Sequence, residues 1–160
     1  MKKISKILLS FALVLIAAFS LIGCNVGDSE ITIDYLTFKK VSSYTMNYEG
    51  DGAGAIVGVS VFKIQTNVSD GSLLEYNNFS IVNENGSPLS IISIEIYSQP
   101  YDIIEQTLPV EVLDKNSIKG FELGQNKVAY IVIKCASGTL DGKHKINYLF
   151  TTIDEFTFKF

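Results

Sequence analysis

The strongest constraint on this chain's fold is its run of short segments in which apolar and polar residues alternate. Turn signals cut the pattern about every ten residues. The clearest case is Leu89 to Ser98, where Ile92, Ile94 and Ile96 alternate with Ser93, Glu95 and Tyr97. That is the period of a strand with one face packed. Asn78 to Asn83 reads as its hairpin partner, and Glu84-Asn85-Gly86-Ser87 as the turn between them. Asn-Gly is expected to take the type I′ form, in which both central residues have positive φ.

The same reading extends along the chain. Ile31 to Lys40 is a first strand, with Ile31, Ile33 and Tyr35 on one face. Ser42 to Gly54 is polar and then glycine-rich, and reads as a loop. Its glycines lead into the strand-like Ala55-Ile56-Val57 and not into Gly-Lys-Ser/Thr and a helix, so it is no phosphate cradle. Ala55 to Thr66 carries Val57, Val59 and Val61 on one face and Phe62 and Ile64 on the other, which predicts a central strand. Lys127 to Cys135 reads as a second buried strand. Shorter strands are expected at Leu108 to Leu113 and Ile118 to Leu123, and further ones at Lys145 to Ile153 and Glu155 to Phe160. In the last, Phe156, Phe158 and Phe160 alternate with polar residues. Ser137 to Lys143 reads as a loop, and Tyr101 to Gln106 offers the one candidate helical turn. About eight strands without an amphipathic helix predict an all-β fold, an antiparallel β-sandwich over residues 31–160.

The N-terminus follows another logic. Lys2, Lys3 and Lys6 precede an apolar run from Ile7 to Phe19, and Leu21-Ile22-Gly23-Cys24 closes the segment. A basic start, a short apolar middle and a small residue at the cut make a signal peptide of residues 1–23. The run is too short for the roughly 20 apolar residues of a membrane span. The Leu-Ile-Gly-Cys end resembles the lipobox of bacterial lipoproteins, although Ile22 is bulkier than the small residue usual there. The resemblance implies a thioether-linked diacylglycerol on Cys24, which becomes the mature N-terminus at the outer face of the cell membrane. Residues 24–30 then form a short tether that spans about 20 Å when fully extended.

Without residues 1–23 the chain has 137 residues, enough for a real core. Losing the three lysines of that segment takes the net charge from −4 to −7, and the chain has no arginine. Such a surface is a poor match for a phosphate backbone, so no nucleic-acid partner is expected. With Cys24 lipidated, Cys135 has no disulfide partner and reads as a buried small hydrophobe.

A second resemblance lies in the domain. Ala55-Ile56-Val57-Gly58-Val59-Ser60-Val61 leads to Asn67-Val68-Ser69-Asp70. Next come Asn78-Phe79-Ser80-Ile81-Val82-Asn83-Glu84-Asn85-Gly86 and, later, Ser117-Ile118-Lys119-Gly120-Phe121-Glu122-Leu123. This order resembles the immunoglobulin-like domains of unknown function found in bacterial lipoproteins. The resemblance implies a fold and a location and carries no catalytic residue.

The residues offer little chemistry. His144 sits in Asp141-Gly142-Lys143-His144-Lys145 and reads as a solvated loop histidine; a lone His lacks the ligand spacing of a zinc site. Asp51, Asp70, Asp141 and Asp154 read as turn aspartates that bond their own backbone. Asp154 and Glu155 are adjacent on a strand and should point to opposite faces. No Gly-x-Ser-x-Gly elbow or Ser-x-x-Lys occurs. No metal, cofactor or catalytic residue is therefore expected. Tyr44, Tyr48, Tyr97 and Tyr101 are the candidates for contact with a ligand or partner, placed in or near loops. The expected role is a non-catalytic binding or assembly module at the membrane, its partner an envelope protein or glycan. The alternatives are a small-ligand carrier with a pocket between the sheets and, third, a hydrolase of envelope polymers.

Overall fold

A computed structural model describes residues 30–48, 55–101, 108–117, 119–136 and 142–157. The leader with Cys24, the glycines of 49–54, the helical turn expected at Tyr101 to Gln106 apart from Tyr101 itself, loop residues 137–141, and Phe158 and Phe160 lie outside the described residues.

Twelve strands are present among the described residues: β1 (Glu30–Ile33), β2 (Leu36–Tyr48), β3 (Ala55–Thr66), β4 (Ser72–Leu74), β5 (Phe79–Asn83), β6 (Pro88–Leu89), β7 (Ile91–Tyr97), β8 (Glu111–Val112), β9 (Phe121–Leu123), β10 (Val128–Ala136), β11 (Lys143–Tyr148) and β12 (Thr151–Thr157). A six-stranded sheet runs β1-β2-β3-β10-β7-β8 and a four-stranded sheet runs β12-β11-β5-β6, every pair antiparallel. β4 and β9 form a small third pair. Take β2, β3, β5, β7, β10, β11 and β12 as strands A to G. The large sheet then carries A-B-E-D and the small one G-F-C, the strand order of an immunoglobulin constant-type sandwich. β1 and β8 extend the large sheet at its two edges. As the valines and isoleucines of the sequence require, β3 and β10 are central and pair over Val128↔Gln65 to Ala136↔Val57.

The core lies between the sheets. Phe38, Phe62, Ile64, Ile94, Ile96, Ile131 and Ile133 come from the large sheet, and Phe79, Ile81, Ile146, Tyr148, Ile153 and Phe156 from the small one. Phe38 bridges the two, with ring centroids 4.9 Å from Tyr148 and 6.5 Å from Phe79. Fully burying each such ring is worth about 2 kcal/mol.

Twelve strands replace the expected eight for identifiable reasons. Asp34 (φ +47°) and Tyr35 (φ +70°) form a two-residue hairpin turn, which cuts the expected strand 31–40 in two. Leu149 (φ +45°) and Phe150 (φ +67°) do the same between β11 and β12. Positive φ at both central residues is the type I′ signature, and here it arises without glycine. At Asn85-Gly86, where that turn was expected, only Gly86 has positive φ (+77°). The Gly86 N–H donates to the Asn83 carbonyl (2.9 Å), and Asn83 Oδ1 accepts from the N–H groups of Asn85 (3.0 Å) and Ser87 (2.8 Å). The turn's chemistry therefore rests on Asn83, with Gly86 closing it. The return segment 89–98 is also not one strand. Pro88-Leu89 pairs with β5 in the small sheet, and after Ser90 the chain crosses to pair with β10 in the large one.

Candidate functional site

Three of the four tyrosines singled out in the sequence meet on the outer face of the large sheet. β3 presents Phe62 and Ile64 to the core, so period-2 alternation turns Val57, Val59 and Val61 outward. Register then places Tyr44 beside Val59 and Met46 beside Val57 on β2. Tyr97 lies opposite Tyr130. Val57, Val59, Val61, Val132 and Tyr97 are buried together, with Tyr44, Met46, Tyr101 and Tyr130 packed against them. Tyr97 and Tyr101 are 5.0 Å apart between ring centroids, tilted by 58°.

Tyr44 corrects the expectation: it belongs to β2, not to a loop, because β2 runs on to Tyr48. Tyr97 ends β7 next to a loop, as expected, but it is buried at 3% exposure. The signal for Tyr44 was the i, i+2 pair Tyr44/Met46 inside a polar stretch. Tyr48 ends β2 opposite Ala55, and nothing further is described of its side chain.

Glu95 organises the polar part of this face. Its carboxylate accepts from Lys134 Nζ (2.7 and 2.9 Å), the Tyr97 hydroxyl (2.6 Å) and Ser93 Oγ (2.8 Å). Burial alone would push Glu95 up, but the bonds from Lys134, Tyr97 and Ser93 outweigh it and hold the carboxyl below its usual range. Burial and the Glu95 partner push the Tyr97 phenol well up. Burial and the neighbouring Tyr101 and Glu95 do the same to Tyr44, whose hydroxyl has no hydrogen-bond partner of good geometry among the described residues. These groups keep fixed protonation states at neutral pH. The arrangement can stack and pack against an apolar or aromatic surface.

The face ends at the β8 edge in open apolar surface. Leu108, Val110 and Val112 are 84%, 53% and 49% exposed at every second position. Val110 N–H donates to the Ile96 carbonyl (2.7 Å), and Val112 pairs with Glu95. This stripe was not anticipated. Its sequence signal is the alternation of Leu108, Val110 and Val112 within a segment that reads as a short strand.

The remaining candidates are dispersed. His144 is not a loop residue: it is fully buried in β11 and stacks on Phe156 at 5.4 Å with 17° between the rings. Lys143 and Lys145 alternate with it toward solvent, as β-pleating dictates. Cys135 is buried as expected, and desolvation pushes its thiol up to about 11, far from a nucleophile's range. Asp154 is not in a turn either. It lies buried in β12 and accepts from Lys40 Nζ (2.8 Å) and Ser43 Oγ (3.3 Å), while Glu155 beside it is exposed. Burial raises the Asp154 carboxyl, and the Lys40 and Ser43 bonds offset that only in part. Among the described residues no three His, Cys, Asp or Glu side chains converge as metal ligands, and no helix is long and apolar enough to cross a membrane. Comparison with protein-family models, with curated proteins and with solved structures finds no match.

Proposed function

We propose that the chain is a membrane-anchored extracytoplasmic lipoprotein whose immunoglobulin-like β-sandwich acts as a non-catalytic binding or assembly module. The observation that carries this reading is the N-terminal pattern of Lys2, Lys3 and Lys6, the apolar run and Gly23-Cys24, which meets β1 only six residues later at Glu30. Two acyl chains on Cys24 hold a protein at a bilayer for long periods, since each buried methylene contributes about 0.8 kcal/mol. The module's contact surface is the β8 edge with Leu108, Val110 and Val112. An edge strand offers main-chain groups to an added strand, and alternate apolar side chains give it selectivity. The partner is an extended segment of an envelope protein.

Labelled palmitate supplied to producing cells should appear on the protein and vanish in Cys24→Ser, which should leave the membrane fraction. A photo-crosslinker at position 110 should capture a discrete partner in intact cells, and Val112→Lys should abolish that capture. Membrane retention of Cys24→Ser with the leader still attached would refute the anchoring.

A further inference from the structure

We infer that the two glycine-free hairpin tips, Asp34-Tyr35 and Leu149-Phe150, dip their aromatic side chains into the bilayer interface and set the anchored domain upright on it. The inference rests on the anchoring reading above.

Both tips stand at one end of the sandwich. Leu36 pairs with Thr66, which puts the Asp34-Tyr35 turn beside the C-terminal end of β3. Tyr148 pairs with Phe79, which puts the Leu149-Phe150 turn beside the N-terminal end of β5, where the chain arrives from β3. The Leu149 N–H donates to the Asn78 carbonyl (2.9 Å). Phe38, two residues into β2, touches Tyr148 across the core, and the charge of Asp34 is close enough to disfavour Tyr148 ionisation. Leu149 and Ile33 both pack partly into the same core. That leaves Phe150 completely exposed and Tyr35 66% exposed.

Neither sequence is what a water-facing tip calls for. Two-residue turns of this form favour Asn-Gly or Asp-Gly, because positive φ is costly for bulky side chains. Here a Phe and a Tyr hold the second position at φ +67° and +70°. A bilayer rewards that choice. Tyr concentrates at headgroup level, and a Phe beside it reaches the acyl boundary.

The tether's length selects this end. Glu30 pairs with Lys39. From there the Tyr35 turn is about 13 Å away, and the far end of β2 at Tyr48 about 30 Å, at some 3.3 Å per residue. The six steps from Cys24 to Glu30 span about 20 Å at full stretch. A lipid on Cys24 can therefore lie level with the tips but not with the opposite end. Asp34 beside Tyr35 gives anionic lipid no advantage, so contact is apolar and insensitive to salt.

The chain contains no tryptophan, so Phe150→Trp and Tyr35→Trp each introduce a single reporter at an exposed position. Asn85→Trp, on the exposed turn at the opposite end, is the control. The full lipid-modified proteins are reconstituted into phosphatidylcholine vesicles, with and without phosphatidylglycerol, and challenged with bromine-labelled acyl chains. Emission from the two tip variants should fall about twofold in both vesicles, as for a residue at the membrane interface, while the control stays unquenched. Intact mass reports the state of Cys24 separately. Unquenched tip variants on a protein with lipid on Cys24 would overturn the inference and leave the anchoring intact, as would quenching of the control alone. Blue-shifted tip emission without bromine quenching would overturn it in favour of contact between two copies of the chain. An unmodified Cys24 would overturn both.

Discussion

Lys40 on β2 of the large sheet and Asp154 on β12, the edge strand of the small one, fasten the two sheets together. β2 bulges at Val41, between Lys40 and Ser42, and the Lys40 ammonium there meets the β12 carboxylate at 2.8 Å. Ser43 completes the group through Ser60 (3.0 Å) and Asp154. Both side chains are largely buried, at 13% and 6% exposure, so removing one strands the other. Asp154→Ala or Lys40→Ala should each cost about 3 kcal/mol, whereas the apolar pair Lys40→Met/Asp154→Leu should come within about 1 kcal/mol of wild type, measured by urea unfolding. The raised Asp154 carboxyl adds a pH signature. Between its unfolded and folded pKa values the native state holds more protons than the unfolded one, so stability falls as pH rises through that window. Asp154→Asn should remove this component. Glu95, held low, has the opposite sign: its contribution is complete above the unfolded carboxylate range and is lost as pH falls through the folded value. Thermal melts from pH 2.5 to 6.5 should separate the two.

Among the elements, the hairpin tips carry the clearest prediction. Phe150→Gly relieves a positive φ at a fully exposed side chain while leaving the core contact of Leu149 in place, and should stabilise the fold by about 1 kcal/mol, at the expense of any membrane contact. Gly120 behaves the other way. A Cβ there would collide with the Leu74 carbonyl oxygen and press on Leu73 Cδ1 at 2.9 Å, because β9 is approached so closely by β4. Gly120→Ala should lose about 2 kcal/mol in the same unfolding assay. These elements also mark what the sequence could and could not reveal. Strands β3, β7 and β10 were legible because their valines and isoleucines keep period 2 over many residues. The aromatic face was half legible, since Tyr44, Tyr97 and Tyr101 were picked out, yet their convergence depends on register between β2, β3, β10 and β7. His144 was legible in principle: His144, Ile146 and Tyr148 alternate with Lys143, Lys145 and Asn147, but two flanking lysines masked the pattern. The Asp34-Tyr35 and Leu149-Phe150 turns were not legible. Nothing in their local chemistry asks for positive φ, and tertiary pairing imposes it. The crossing at Ser90 was hidden too, because a strand that changes sheets keeps its alternation.

On the scale of the whole molecule, buried phenols set an upper pH limit. Tyr44, Tyr76, Tyr97 and Tyr148 all have their ionisation pushed above the usual 10.0, chiefly by burial. Above about pH 10 the unfolded chain releases protons that the native state keeps, so stability must decline as pH rises further. Tyrosinate absorbance from these four should appear together with loss of the far-ultraviolet β signal; separate transitions would show that the outer face opens before the core. Cys135 offers a last consequence. It sits at 2% exposure between Gly58 and Ile91 on neighbouring strands, so its sulfur takes no part in thiol exchange. Immunoglobulin constant-type sandwiches of secreted proteins are commonly cross-linked between their sheets, and so depend on an oxidising exterior. This sandwich closes through an ion pair and interlocked rings instead, which frees its stability from the redox state of its surroundings.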